Sequence, residues 1–223
     1  MKIMRWKALT TGQLSRNIYW GESNDRAYRS VLATGTVIWD DEHVILVDPA
    51  EPLEITGEKL RALDLSPEKV DIIVSTHFHG DHRVDAGRYP NAACYMSRIM
   101  MEDFRASIRD GNVPKQYTDG IAGVFQEIDP ETETLPGVEL ISLPGHTRGD
   151  MGVLFQAEEG RILAAGDTII TVEFYAHCDG FWINHDLEAT KRSIRKASGI
   201  ADIIIPGHGA PFRTADVKVD GMQ

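Results

Sequence analysis

Residues 75–82 read STHFHGDH, and they follow directly on the apolar run VDIIV (70–74). The run predicts a strand with both faces covered, KVDIIVSTH (69–77). His77 and His79 are two apart, so on extended chain they share a face. Gly80 permits a sharp turn. Asp81 and His82 then point elsewhere, placed for a second ion beside the first. A lone His-x-His carries little information; His-x-His-Gly-Asp-His directly after an apolar strand is a metal-seeking arrangement.

Further donors sit at the ends of other apolar runs. His146 ends ELISLPGH, Asp167 ends RILAAGD and His208 ends ADIIIPGH, each preceded by a glycine (Gly145, Gly166, Gly207). Polar groups therefore collect at the C-terminal ends of strands, where α/β folds gather their sites. Together His77, His79, Asp81, His82, His146, Asp167 and His208 form a nitrogen-and-oxygen donor set without thiolate. Such a set suits Zn²⁺, with Fe or Mn as alternatives. Structural zinc sites are closed and rich in Cys, so this set implies open coordination positions and catalysis.

The chain has 223 residues, 42% hydrophobic and 26% charged, which fits a single folded domain over residues 1–223. Its net charge of −11 disfavours a nucleic-acid partner, because phosphate binding rests on clustered Lys and Arg. The densest basic stretch, KRSIRK (191–196), reads as a solvated helix face. Cys94 and Cys178 form no disulfide framework and read as buried thiols. The N-terminal segment lacks the apolar core of a secretory signal, and no run spans a membrane, so a cytoplasmic location is expected.

Strands are expected over 29–39, 44–50, 69–77, 91–97, 138–145, within 151–167 and over 201–209, with a hairpin turn at 158–160. Helices are expected over 55–65, 97–108 and 187–198, the last capped by Asp186 and stopped by Gly199. Residues 109–137 read as loop-rich, with FQEI (125–128) as a short strand. Strands in both halves with helices between them predict an α/β layered fold.

VILVDPA, THFHGDH, LPGHTRGD, AAGDT and IPGHGAPF resemble, in order, the motifs of the metallo-β-lactamase fold superfamily, from Asp48 to Phe212. The resemblance implies a four-layer αββα sandwich with a dinuclear centre of two divalent ions, Zn foremost. It implies that His77, His79 and His146 hold one ion, that Asp81, His82 and His208 hold the other, and that Asp167 bridges them. Asp48 matches an aspartate that orients ligands. The implied activity is a metal-dependent hydrolase cleaving an ester, thioester, lactone or phosphodiester bond of a small molecule. Two ions sharing a water would lower its pKa to about 7, and Asp81 would serve as the catalytic proton carrier. The alternatives are a metal-dependent oxygenase of the persulfide dioxygenase type and an RNase Z-like nuclease.

True zinc β-lactamases of the commonest type carry Cys where this chain has Asp167. Glyoxalase II adds a glutathione-binding helical domain, for which the about fifteen residues after His208 leave no room in this sequence. Lactonases place a tyrosine three residues after the bridging aspartate, where this chain has Ile170; Tyr175 is the candidate replacement. The aromatic stretch VEFYAHCDGFW (172–182), with Tyr19 and Trp20, is equally suited to wall a pocket or to fill a core. Tyr175, His177 and His185 are the candidate substrate contacts. The motifs leave substrate, metal and oligomeric state open.

Overall fold

The structure, a computed structural model, describes residues 2–111 and 121–221. Two six-stranded sheets organise it. The first runs β1 (Arg5–Ala8), β2 (Thr36–Trp39), β3 (Val44–Val47), β4 (Ile72–Val74), β5 (Ala93–Ser97) and β6 (Phe125–Ile128), in that spatial order. The second holds β7 (Thr134–Leu135), β8 (Val138–Ser142), β9 (Met151–Ala157), β10 (Gly160–Gly166), β11 (Ile203–Pro206) and β12 (Phe212–Arg213), ordered β12-β11-β10-β9-β8-β7. Helices α1 (Leu53–Arg61) and α2 (Arg98–Arg109) cover the first sheet, and α5 (Leu187–Ile200) covers the second; α3 (Ile121–Val124) and α4 (Val172–Ala176) are short.

Strand alternation builds the layers. On β3, Ile45 and Val47 face the middle while Val44 and Leu46 face the outer helices. On β4, Ile72 and Val74 point inward and Ile73 outward. On β9 and β10, Val153, Phe155, Ile162 and Ala164 meet them from the other sheet, and Leu154 and Leu163 pack outward with Ile194 and Ala197 of α5. Period-two side chains thus feed an inner sheet-to-sheet layer and two outer helix-to-sheet layers. Both faces are dry, which is why these strands read as continuous apolar runs.

Strand direction positions the site. β3, β4, β5 and β6 are mutually parallel. β9 is antiparallel to both β8 and β10, and β11 is parallel to β10, so β8, β10 and β11 run one way. The C-terminal ends of β3 and β4 meet those of β8, β10 and β11 along one seam. Backbone bonds tie the sheets there: Met151 N–H donates to the Thr76 carbonyl (3.1 Å), and Thr34 N–H to that of Gly207 (2.7 Å).

Several boundaries differ from the sequence reading. The strand expected from residue 29 starts at Thr36; before it, one isolated bridge joins Gln13 and Leu32. The helix expected over 55–65 begins at Leu53 and ends at Arg61, because Asp64 turns left-handed (φ 58°). α5 runs through Gly199 to Ile200; a glycine inside a helix is tolerated when the next turn is still held. β1 was not anticipated. The hairpin at 158–160 and the Asp186 cap, which accepts from Ala189 N–H at 2.9 Å, match the reading. Residues 112–120, within the expected loop, lie outside the described residues. No helix among the described residues is long and apolar enough to cross a membrane.

Phe155 is fully buried in the inner layer. Phe155→Ala should cost about 3–5 kcal/mol, read as a lower urea midpoint at unchanged slope. Trp182→Ala, at a side chain 56% exposed, should stay within about 0.5 kcal/mol. A Phe155→Ala loss below about 1 kcal/mol would contradict the layer assignment.

Candidate metal centre

Loops leaving four strand ends supply the groups at the seam. His77 and His79 follow β4, and a 3-10 turn over Gly80–His82 swings Asp81 and His82 away from them. His146 follows β8, Asp167 follows β10 and His208 follows β11. Seating Asp167 requires glycine on both sides. A Cβ on Gly207 would lie 2.1 Å from Asp167 Oδ1, and one on Gly166 (φ +56°) would lie 2.3 Å from Thr76 Oγ1.

Two donor clusters result, His77–His79–His146–Asp167 and Asp81–His82–His208. In the first, His79 Nδ1 lies 3.0 Å from His77 Nε2 and 3.1 Å from His146 Nε2. Asp167 Oδ2 stands 3.8 Å and 3.5 Å from the same Nε2 atoms. In the second, Asp167 Oδ1 stands 3.1 Å from His82 Nε2 and 3.2 Å from His208 Nε2. Asp81 Oδ2 is 3.9 Å and 3.8 Å from those two nitrogens. One carboxylate thus turns an oxygen to each cluster.

The outer nitrogens are held in place. His82 Nδ1 bonds Asp48 Oδ2 (2.9 Å), and His208 Nδ1 donates to the Leu32 carbonyl (2.7 Å). His146 Nδ1 meets Asn184 Oδ1 (3.1 Å), and His77 Nδ1 meets Thr76 Oγ1 (3.2 Å). Protons on these four Nδ1 atoms aim each Nε2 at the clusters, as orienting partners do for metal-binding imidazoles. Asp48 is the hub of that support. Its backbone is left-handed (φ 49°), and its carboxylate also accepts from Thr76 N–H (2.7 Å) and Thr76 Oγ1 (2.8 Å). Asp150, pushed up to about 6 by burial, binds the backbone N–H and hydroxyl of Thr147 and so holds the His146 turn.

Electrostatics separates the clusters. Burial and neighbouring imidazoles hold His77 well below its ordinary value and His79 at about 4. Burial also opposes charge on His82 and His208, but Asp167, aided by Asp48 at His82 and Asp81 at His208, outweighs it and raises both. Burial would raise Asp167, yet His208 and His82 pull it well below the carboxylate range. His82 Nε2 and Asp167 Oδ1 are buried without any hydrogen-bond partner. Nitrogen lone pairs 3.0–3.1 Å apart and orphaned polar atoms both fit divalent cations between them; a tetrahedron with bonds of about 2.0–2.1 Å has edges near 3.4 Å.

A cleft of about 390 Å³ opens over the clusters. His79, Asp81, Asp167 and His208 line it, with Leu14, Arg16, Val31, Ile170, Phe181 and Trp182 among its walls. The three expected substrate contacts lie elsewhere. Tyr175 is buried among the outer core of α5, its hydroxyl bonded to Ser198 (2.8 Å), because the helical period of α4 turns Phe174 and Tyr175 inward. It therefore does not replace the tyrosine missing at Ile170. His177 stacks on Tyr19 and bonds Asp220 (3.0 Å). His185 is exposed, and its backbone N–H holds the His146 carbonyl (3.0 Å). Tyr19 and Trp20 bond Asp179 and Glu173 (2.7 and 2.9 Å) rather than lining the cleft. Sequence reasoning missed Asn184, Asp150, Thr76 and the N-terminal wall; only Asp150 and Thr76 stood inside motifs already singled out.

The pKa shifts fix a pH dependence for the metal-free protein. His77 and His79 are lowered when folded, so the unfolded chain binds more protons as pH falls below 6.5, and stability drops there. His82 and His208 are raised, so their contribution is present below 6.5 and is lost as pH rises through their folded values. Chelator-treated protein should therefore melt at a lower temperature at pH 9 than at pH 6.5, and metal should remove most of that difference. A melting temperature flat or rising over this range would contradict the pairing of His82 and His208 with Asp167.

Comparison with known proteins gives a consistent result. The family model for the Metallo-beta-lactamase superfamily matches residues 31–208. Metallo-beta-lactamase domain-containing protein 1 of Mus musculus is 32% identical over 188 residues, 80% of this chain and 64% of that protein, so the chain spans under two thirds of this relative. A candidate metallo-beta-lactamase from Thermotoga maritima superposes with a TM-score of 0.72 at 20% identity, covering 95% of this chain and 100% of that one. A dizinc quorum-quenching lactonase, solved with a product, superposes at 0.62 with 18% identity, covering 80% and 72%.

Proposed function

The chain belongs to the metallo-β-lactamase superfamily, and on that premise we propose that it is a dinuclear metal-dependent hydrolase of small molecules. The observation that carries the reading is the Asp167 carboxylate, whose Oδ2 faces His77 and His146 while Oδ1 faces His82 and His208. In this reading His77, His79 and His146 would hold one divalent ion and Asp81, His82 and His208 the other, with Asp167 placed to serve both. Zinc fits the donor set, with Fe and Mn as the competitors. Such ions supply a water acidified to about pKa 7 and polarise the oxygen of an ester, thioester, lactone or phosphodiester.

The protein's own contribution is orientation and proton handling. Asp48, Thr76, Asn184 and the Leu32 carbonyl hold the imidazoles in one tautomer and one orientation. Asp81, half-buried and open to the cleft, takes the proton of the attacking water and returns it to the leaving group. Leu14, Val31, Phe181 and Trp182 exclude water from one side and favour a substrate with an apolar arm. Ile170 gives the cleft wall no hydroxyl where the resembled lactonases carry tyrosine, which favours a substrate other than an acyl homoserine lactone.

Metal-loaded protein should contain two divalent ions per chain and hydrolyse at least one substrate class in a panel run separately with Zn, Mn and Fe. His79→Ala should lose one ion and all activity while keeping its circular dichroism. Asp81→Ala should lower kcat by about 10²–10⁴. One iron per chain with oxygen uptake would instead identify an oxygenase, and activity surviving in His79→Ala would sink the mechanism.

A further inference from the structure

Arg16 sits on the wall of the same cleft and, among the described residues, has no acidic partner. Among the described residues, eight of the fifteen arginines lie within salt-bridge distance of a carboxylate, and Arg16 belongs to the rest. Arg29, in the same N-terminal region, is paired with Glu22, and Arg5, Arg88 and Arg148 pair with Asp41, Glu54 and Asp103. The chain carries 34 acidic against 23 basic residues, so acidic partners are plentiful. Among the described residues, no carboxylate reaches Arg16 within salt-bridge distance.

The side chain is nonetheless fixed. Its guanidinium lies over the Trp182 ring, 5.5 Å from the centroid, and Nη1 donates to the Asn24 carbonyl. Nε is buried and has no hydrogen-bond partner, and among the described residues Nη2 donates to no protein acceptor. Nε is closed off by the protein, so Nη2 is the donor left to meet a carboxylate oxygen in a charge-assisted hydrogen bond. Stacking on an aromatic ring preorganises that donor at little entropic cost. Arg16 and Trp182 both line the cleft, with His79, Asp81, Asp167 and His208.

We propose that Arg16 is a specificity-determining residue and that the cleft takes carboxylate-bearing substrates. The scissile group lies at the metal cluster, the apolar arm runs along Leu14, Val31 and Trp182, and the distal carboxylate is held by the Arg16 guanidinium through Nη2. This rests on the hydrolase reading above and narrows it to one charge class. It accounts for a fixed cation at the mouth of a site whose lining otherwise offers imidazoles, carboxylates, Ser15 and apolar surface.

The test uses a matched pair of esters, mono-4-nitrophenyl glutarate and 4-nitrophenyl valerate, with metal-loaded wild type, Arg16→Met and Arg16→Lys. The wild type should show a KM for the glutarate ester about tenfold or more below that for the valerate ester. Arg16→Met should erase that ratio, and Arg16→Lys should keep part of it. Glutarate itself should quench tryptophan fluorescence at lower concentration in wild type than in Arg16→Met. An equal KM for the two esters, or a preference that survives in Arg16→Met, overturns the assignment and leaves the hydrolase reading intact. If neither ester turns over, ester hydrolysis fails as a reading, and glutarate binding alone decides for Arg16. Weaker binding in Arg16→Met supports the Arg16 contact, whereas equal or absent binding removes it.

Discussion

Burying the Asp167 carboxylate between four imidazoles sets the terms for everything around it. A carboxylate taken out of water must be repaid by opposite charge or by donors. Here, among the described residues, no hydroxyl or backbone group bonds Oδ1, and His82 Nε2 and His208 Nε2 stand 3.1 and 3.2 Å from it. Without cations, protons on those two rings must supply the compensating charge, which is why their pKa values rise while His77 and His79 stay neutral. With cations, the lone pairs of both clusters acquire a common purpose. The close glycines follow from the same constraint, since a side chain at Gly207 would occupy the space of the Asp167 carboxylate.

The fold serves this constraint by rigidity. Three apolar layers hold the strands that end at the seam, and the sheets are laced together beside the ligands by Met151–Thr76 and Thr34–Gly207 backbone bonds. Asp48 accepts a left-handed backbone, worth about 1–3 kcal/mol of strain, in exchange for holding Thr76 and His82 at once. Residues 184–186 clasp the opposite side: Asn184 bonds His146, and the N–H groups of His185 and Asp186 bond the carbonyls of His146 and Gly145. Groups far apart in sequence thus reach mutual positions that local structure alone could not fix.

The layers and the grouping of the donors were legible because both rest on short-range patterns. Doubly buried strands write themselves as runs such as VILV and IIIP, and polar residues that end them stand out against that background. β1 was not legible: RWKA alternates exposed and half-buried positions at a sheet edge and has no apolar run. The cleft wall was misassigned for a related reason. In VEFYAHCDGFW the helical period buries Phe174 and Tyr175, while Phe181 and Trp182 beyond the helix face the cleft, and composition does not distinguish the two ends. Leu14, Arg16 and Val31 reach the cleft, and Asn184 reaches His146, through long-range placement, and nothing in their local sequence announces it.

Anomalous X-ray diffraction from a zinc-soaked crystal, collected above and below the zinc edge, tests the central claim most directly. The account predicts two peaks on either side of the Asp167 carboxylate, one among His77, His79 and His146 and one among Asp81, His82 and His208. A single peak, or peaks away from Asp167, would contradict it.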